Sequence, residues 1–305
     1  MFTNVLVQVL ILFILIILGV VLTKCKLLNE TTVKGMTEIV LLIVTPCVII
    51  KSFIREFDKS VFKNLLISFL IAFLVHLGFI ILAKLLIHSK DKQSEKVLSF
   101  STIFSNCGFM SIPLQQALLG DTGVFYGSSF IAIFNLFIWS YGIIAMSGDK
   151  KYLTPKKLIL NPGLIGISIG LIVFLFSIPV PKIILEPITY MAGLNTPLPM
   201  IIIGYHLTKS NLLKDLKNLN LMFAIFLKLI LFPLVAFGVI YLCGVRGDML
   251  VSSVISFSAP TAAMATMFSA KFSANTPLSV SMVSLSTILS ILTMPLIITL
   301  AQTVA

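Results

Sequence analysis

The chain has 305 residues, of which 58% are hydrophobic and only 11% charged, with a net charge of +11 and a mean hydropathy of +1.11. A water-soluble domain carries roughly 25% charged residues, so this composition excludes a soluble globular fold and points to an integral membrane protein in a lipid bilayer. The basic excess is not a nucleic-acid footprint, because Lys and Arg gather in the cytoplasmic loops of membrane proteins. No nucleic-acid partner is expected.

The apolar runs are continuous rather than alternating, which predicts helices. Each needs about 20 residues to cross a hydrocarbon core of about 30 Å. Ten such segments follow one another, at 4–23, 33–53, 61–87, 96–119, 122–147, 161–179, 183–207, 219–243, 250–270 and 275–303. The first has no basic residues before it and no cleavage site after it, so it reads as a span and not as a leader. The second carries "TPCVII" (45–50), the third His76, the fifth Asn135, the seventh "TPLPMII" (196–202) and the eighth Lys228. The fourth and ninth are interrupted in their middles, by "SNCGFMSIPLQQALLG" (105–120) and "SFSAPTAAMATMFS" (256–269). The predicted fold is all-α, with ten transmembrane helices as two inverted five-helix repeats. The repeats would be 1–147 and 161–305, joined by a polar cytoplasmic loop at 148–160. With both termini outside, fifteen of the 22 Lys and Arg fall in inner connections and six in outer ones, as the positive-inside rule requires. The dissenting outer cluster Lys51, Arg55, Lys59 and Lys63 reads as a solvated loop.

Matched interruptions in two halves point to a transport site near the bilayer midplane. Pro113 and Pro260 each remove a backbone hydrogen bond at a cost of about 3 kcal/mol in a helix interior, and Gly108 weakens the same stretch. Residues 106–113 and 258–261 are therefore expected to be non-helical and buried against each other, since lipid cannot satisfy freed backbone groups. Half-helix N-termini there present N–H groups to an anion. Asn106 adds an amide, and Ser111, Ser258 and Thr261 add hydroxyls. Asn135 serves either as a ligand contact or as an interhelical hydrogen bond. Lys228 is either a charge at the transport site or a snorkelling side chain. His76 is a weaker candidate for proton relay.

No Asp lies mid-span and no carboxylate pair appears, so the interior is neutral or cationic and suits an anionic substrate. No HExxH, phosphate-binding loop or GxSxG is present, and the four cysteines show no metal-ligand spacing. The sequence gives no reason to expect an enzyme, a cofactor or a metal.

The stretches "TPCVIIKSF" (45–53), "SNCGFMSIPLQQALLG" (105–120), "SAPTAAMATMFSAKF" (258–272) and "SLSTILSILTMPLI" (284–297) resemble the auxin efflux carrier family, over nearly the whole chain. That family includes the plant PIN carriers and bacterial permeases ascribed to malate or malonate. The short central loop is similar to that of the bacterial members. The resemblance implies that interrupted spans 4 and 9 cross beside the substrate, with Asn106 as the crossing-point asparagine and Pro113 and Pro260 as the breaking prolines. It further implies a scaffold of spans 1, 2, 6 and 7 that forms a homodimer, and a moving bundle of the others. The resulting expectation is a multi-pass protein of the plasma (inner) membrane that carries a small organic anion by alternating access. Such a carboxylate would be malate, malonate or an auxin-like acid. The alternatives are a sodium- or proton-coupled symporter of bile-acid-symporter type, and a receptor or channel on the same fold.

Overall fold

The computed structural model describes residues 2–153, 160–209 and 215–305. Residues 154–159 of the predicted connecting loop, with Lys156 and Lys157, lie outside the described residues, as does Lys214. The described chain is helical, and its only β-type pairing among the described residues is one antiparallel bridge, Ser105 to Thr261. Helix α1 is Phe2–Lys24, α2 Glu30–Phe53 and α3 Lys59–Leu86. Helix α4 is Lys92–Ile103, α5 covers 107–119 and α6 covers 121–147. Then come α7 (Pro162–Leu175), α8 (Lys182–Gly193) and α9 (Pro197–Leu207). The last four are α10 (Leu219–Leu242), α11 (Gly247–Ser258), α12 (Met264–Lys271) and α13 (Thr276–Val304).

Among the described residues six helical stretches are long and apolar enough to span a membrane; five coincide with predicted segments 1, 2, 3, 8 and 10, and the sixth, 107–147, runs from the second half of segment 4 through segment 5. The other four segments fall on shorter helices. Segments 4 and 9 are split into α4–α5 and α11–α12, and segment 7 is split into α8 and α9 at 194–196. The predicted polar connection at 120–123 shrinks to one residue. Helices α5 and α6 run on as a single 41-residue stretch except at Gly120, whose φ of 61° and ψ of −151° lie in a region that essentially only glycine occupies.

Side chains in the connections set the helix starts. Asp58 accepts from the Ser60 and Val61 N–H groups at 2.7 and 2.8 Å, and Asp91 from Gln93 and Ser94 at 3.1 and 3.0 Å. The Ser60 and Ser94 hydroxyls, followed by these N–H groups, hold both carboxyls below the usual carboxylate range. Asparagine caps five other helical starts, from Asn29, Asn106, Asn161, Asn218 and Asn275, because its side-chain oxygen can replace a missing carbonyl.

Three prolines in the long helices are accommodated in the same way, whereas Pro295 sits inside α13 without a π turn. Wide π turns at Val40–Val44, Cys107–Ser111 and Leu227–Leu231 are each followed two residues later by a proline: Pro46, Pro113 and Pro233. Shifting the hydrogen-bond register by one residue accommodates a ring that has no N–H and would clash with the preceding turn. The expectation of a non-helical 106–113 is corrected accordingly. The break is at 104–106, and Pro113 sits in the first turn of the α-helical part of α5, where a missing N–H costs little.

The helices form two packed groups. In one, α1 lies along α9 and α2 lies along α7 and α8; in the other, α6, α11 and α13 are central, with α3, α4, α10 and α12 around them. The groups meet where α2 rests on α6 and α1 on α13. Two of the four basic residues predicted to form a solvated outer cluster are tied down at this seam. Lys51 pairs with Asp121 at 3.0 Å, and the Arg55 guanidinium lies 4.6 Å from the Phe125 ring centre.

Helices α1 and α9 touch backbone to backbone. A Cβ on Gly204 would sit 2.2 Å from the Ile16 carbonyl oxygen, and one on Gly19 2.3 Å from that of Ile201. Backbone cannot yield as a side chain can, so Gly204→Ala is expected to cost about 1–3 kcal/mol. The melting temperature of the detergent-solubilised protein should fall measurably. Gly238→Ala, whose Cβ meets nothing within 4 Å, should leave it unchanged or slightly raised.

Candidate functional site

The two breaks lie across each other and exchange backbone hydrogen bonds. Asn106 N–H donates to Pro260 O at 2.7 Å, and Ala262 N–H donates to Phe104 O at 3.0 Å. The hydroxyls at the centre do the same job for the helix ends. Ser105 donates to Phe257 O (3.2 Å) and Thr261 to Ser101 O (3.0 Å). Each therefore caps a carbonyl of the other's helix, four residues before the other's own position. Ser111 donates to Ile255 O at 3.3 Å, and Ser286 accepts from the Thr261 N–H at 3.1 Å. Each of these groups would cost about 1–3 kcal/mol if buried unpaired, so the crossing stands because both breaks occur together. Gln115 reinforces it, donating to Ser252 O, Ser252 Oγ and Ser256 Oγ at 3.0, 3.1 and 2.8 Å.

Most of the predicted residues converge here. Asn106, Ser111, Ser258, Pro260 and Thr261 are brought together at the crossing, and Asn106, Ser111, Ser258 and Thr261 are buried there. The Asn106 side-chain oxygen accepts from Phe109 N–H at 3.3 Å and caps α5. That role is shared by four other asparagines and is not itself a mark of function. Lys228 does not snorkel. It is fully buried, its ammonium donates to the Ser105 hydroxyl, and the Phe79 ring centre is 5.9 Å away. Among the described residues no ion pair reaches it. His76 is buried on the same side, its Nδ1–H donating to Ala72 O at 2.7 Å and its ring stacked on Phe137. A pocket of about 10 Å³ lies between His76, Phe79, Ser105 and Cys107.

Gly108 and Asn135 lie apart from this layer, on a cavity of about 250 Å³ between α2, the first turn of α5, α6 and α7. Its polar wall is Thr45, Asn135 and Asn161; the rest is apolar or aromatic, including Phe134 and Trp139, and no lining side chain is charged. Asn161 donates to Asn135 Oδ1 at 2.8 Å, and Asn135 donates to Ile131 O at 2.8 Å. Phe109 also lines a second cavity, of about 450 Å³, with Tyr205, His206, Lys209 and Ser284. A third, of about 590 Å³, opens beside Asn4, Gln8, Leu119 and Asp248.

Sequence reading missed Ser105, Thr45, Asn161 and Phe109. Thr45 was visible only as half of a repeated "TP", and Asn161 only as the residue before Pro162. The partners that give them meaning are remote in the chain.

Paired broken helices among long apolar ones, with cavities on either side of α5, define a multi-pass membrane protein of transporter type. Residues 4–156 and 152–298 each match the profile of the family described as membrane transport protein. The chain belongs to that family, the auxin efflux carriers. It is also 25% identical over 291 residues to an uncharacterized transporter of Methanothermobacter thermautotrophicus, covering 93% of this chain and 94% of that protein.

Removing one partner of a buried polar pair is costlier than removing both. Ser105→Ala, which strands the Lys228 ammonium, should lower the melting temperature more than Lys228→Met does. The double substitution should recover part of the Ser105→Ala loss in the same thermal melts.

Proposed function

We propose that the chain is a secondary carrier of a small organic carboxylate, working by alternating access. The observation that carries this reading is the crossing with its adjoining cavity. There the N-terminal turn of α5, two amides and a hydroxyl face an otherwise apolar space of about 250 Å³. Donors without bound acceptors suit an acceptor-only group such as a carboxylate, and helix N-termini favour negative charge. The unpaired Lys228 behind Ser105 gives the crossing a positive bias. With no cation lining the cavity itself, a second carboxylate on the ligand would be buried without a partner. This favours an acid with one carboxylate and an apolar body over malate or malonate.

In this reading the ten predicted spans form two inverted repeats, 1–147 and 161–305, joined through 148–160. The reciprocal bonds Ser105 to Phe257 O and Thr261 to Ser101 O support a two-fold relation between the halves. Helices α1, α2, α7, α8 and α9 are the scaffold, through which two copies associate, and the other group moves. Both termini face outward from the plasma membrane.

The test uses the full chain in proteoliposomes, with counterflow of radiolabelled malonate, malate, benzoate and indole-3-acetate. Asn106→Asp keeps a capping oxygen but sets a negative charge at the α5 N-terminus. It should melt like the wild type and lose uptake tenfold or more, since a hydrogen bond to a charged group is worth about 1.5–3 kcal/mol. Wild-type uptake by this variant would remove Asn106 from the site. Flux indifferent to sodium and pH gradients would exclude cation coupling, and binding without counterflow would favour a receptor.

A further inference from the structure

We propose that the groove between α3 and α10 is a phospholipid site, in which one acyl chain lies against Gly78 and the phosphate is held by Arg246. Such a site would exist whatever the carrier transports.

The groove has a volume of about 160 Å³ and an apolar lining, which runs from Ile71 to Leu82 on α3 and from Val235 to Cys243 at the end of α10. At about 1.5 Å per residue these stretches are roughly 16 and 12 Å long. The groove therefore follows the helix axes, as a lipid tail does. Leu74, Val235 and Val239 on its rim are 55%, 42% and 56% exposed, so it opens towards the bilayer. An apolar cavity of roughly 150 Å³ stays dry and takes up hydrocarbon instead. Gly78 supplies the room. Glycine weakens a helix interior, and Gly19 and Gly204 offset that by letting two backbones touch. Gly78 has no such use, since a Cβ built there meets nothing within 4 Å.

The polar end of the site is Arg246, three residues beyond Cys243, where α10 has ended and headgroups begin. Its Nη1 donates to the Tyr241 and Val245 carbonyls, both at 2.7 Å, and its guanidinium carbon lies 3.7 Å from the Tyr241 ring centre. These contacts hold the group in place without neutralising it. Among the described residues no carboxylate pairs with it. Nε and Nη2 keep their N–H groups, in the fork geometry that matches a phosphate. The floor of the groove is Phe79, which packs on Phe232 with ring centres 4.9 Å apart and lies 5.9 Å from Lys228 Nζ. The same ring borders the small pocket shared by His76, Ser105 and Cys107. A tail in the groove covers the lipid side of that ring and keeps water from approaching Lys228 there.

The test is native mass spectrometry of the full chain, delipidated in detergent and titrated with dioleoyl-phosphatidylglycerol, dioleoylglycerol or inorganic phosphate. The wild type should bind one phosphatidylglycerol more tightly than any further copies, and inorganic phosphate should not replace it. Gly78→Leu fills the groove and should weaken that first site about tenfold or more. Val239→Phe, which narrows the groove from α10, should act in the same direction. Gly238→Leu, at a glycine outside the groove whose Cβ also meets nothing, should leave the site unchanged. Arg246→Gln should weaken phosphatidylglycerol and spare dioleoylglycerol. Phosphatidylglycerol should raise the melting temperature of the wild type and not of Gly78→Leu. If Gly78→Leu and Gly238→Leu bind alike, the lipid belongs to the general annulus and the site is overturned. Equal wild-type affinity for the two lipids would overturn the role of Arg246. If Gly78→Leu or Val239→Phe instead splits a dimer, a second copy covers the groove and the lipid assignment falls.

Discussion

Two helices broken inside an apolar interior must find partners for the backbone groups they release, and here each finds them in the other. The exchange between 104–106 and 260–262 is the constraint from which much of the surrounding chemistry follows. It explains why α4, α5, α11 and α13 carry buried hydroxyls at positions where a lipid-spanning helix would ordinarily hold aliphatic side chains. It also makes the two halves of the chain interdependent, because neither break is tolerable without the other. A crossing held by reciprocal bonds is rigid. The segments around it would accordingly shift together as one body.

The buried Lys228 belongs to the same logic. Insertion scales put a cation at mid-membrane depth at roughly 2.5–3.5 kcal/mol, and Lys228 meets that cost with a hydroxyl and an aromatic face instead of a carboxylate. Among the described residues no carboxylate stands beside it to cancel a charge at the crossing. A carboxylate partner would have stabilised the lysine further and erased the field. The absence of mid-span Asp in the sequence and the lysine without a carboxylate partner in the fold are two views of one arrangement.

Much of this was legible in the sequence because it depends on local pattern. Long apolar runs gave the helices, and the Ser/Pro/small interruptions located both breaks. The exact position of the first break was not legible. Pro113 looked like the breaking residue, yet a π turn absorbed it and moved the break to 104–106. The same device beside Pro46 and Pro233 shows that a helical proline can mark a change of register instead of a break, and Pro295 inside α13 marks neither. Span 7 showed the converse, since its split at 194–196 looked from the sequence like a simple repeat of "TP". What the sequence could not carry was pairing at a distance. Lys228 chooses Ser105 over the interface because of residues 123 positions away. Asn161 matters because α7 lies against α6. Neither fact has a local signature.

The two helix groups are held together internally in a different way from how they are held to each other. Inside one, glycine lets α1 and α9 touch at their backbones; inside the other, buried hydroxyls lock the crossing. Across the seam the contacts are looser. Phe53 and Phe125 meet with ring centres 4.7 Å apart. The Lys51–Asp121 pair is part exposed, a kind of ion pair worth only about 0–1 kcal/mol. The Asn135–Asn161 bond also crosses the seam, and it lies on the cavity wall. In the carrier reading proposed above, a ligand drawn to those amides would act on one of the links between the groups, so that occupancy and relative motion would share a contact. That is the physical requirement for coupling them, because a ligand shifts an equilibrium only through contacts that differ between its two states.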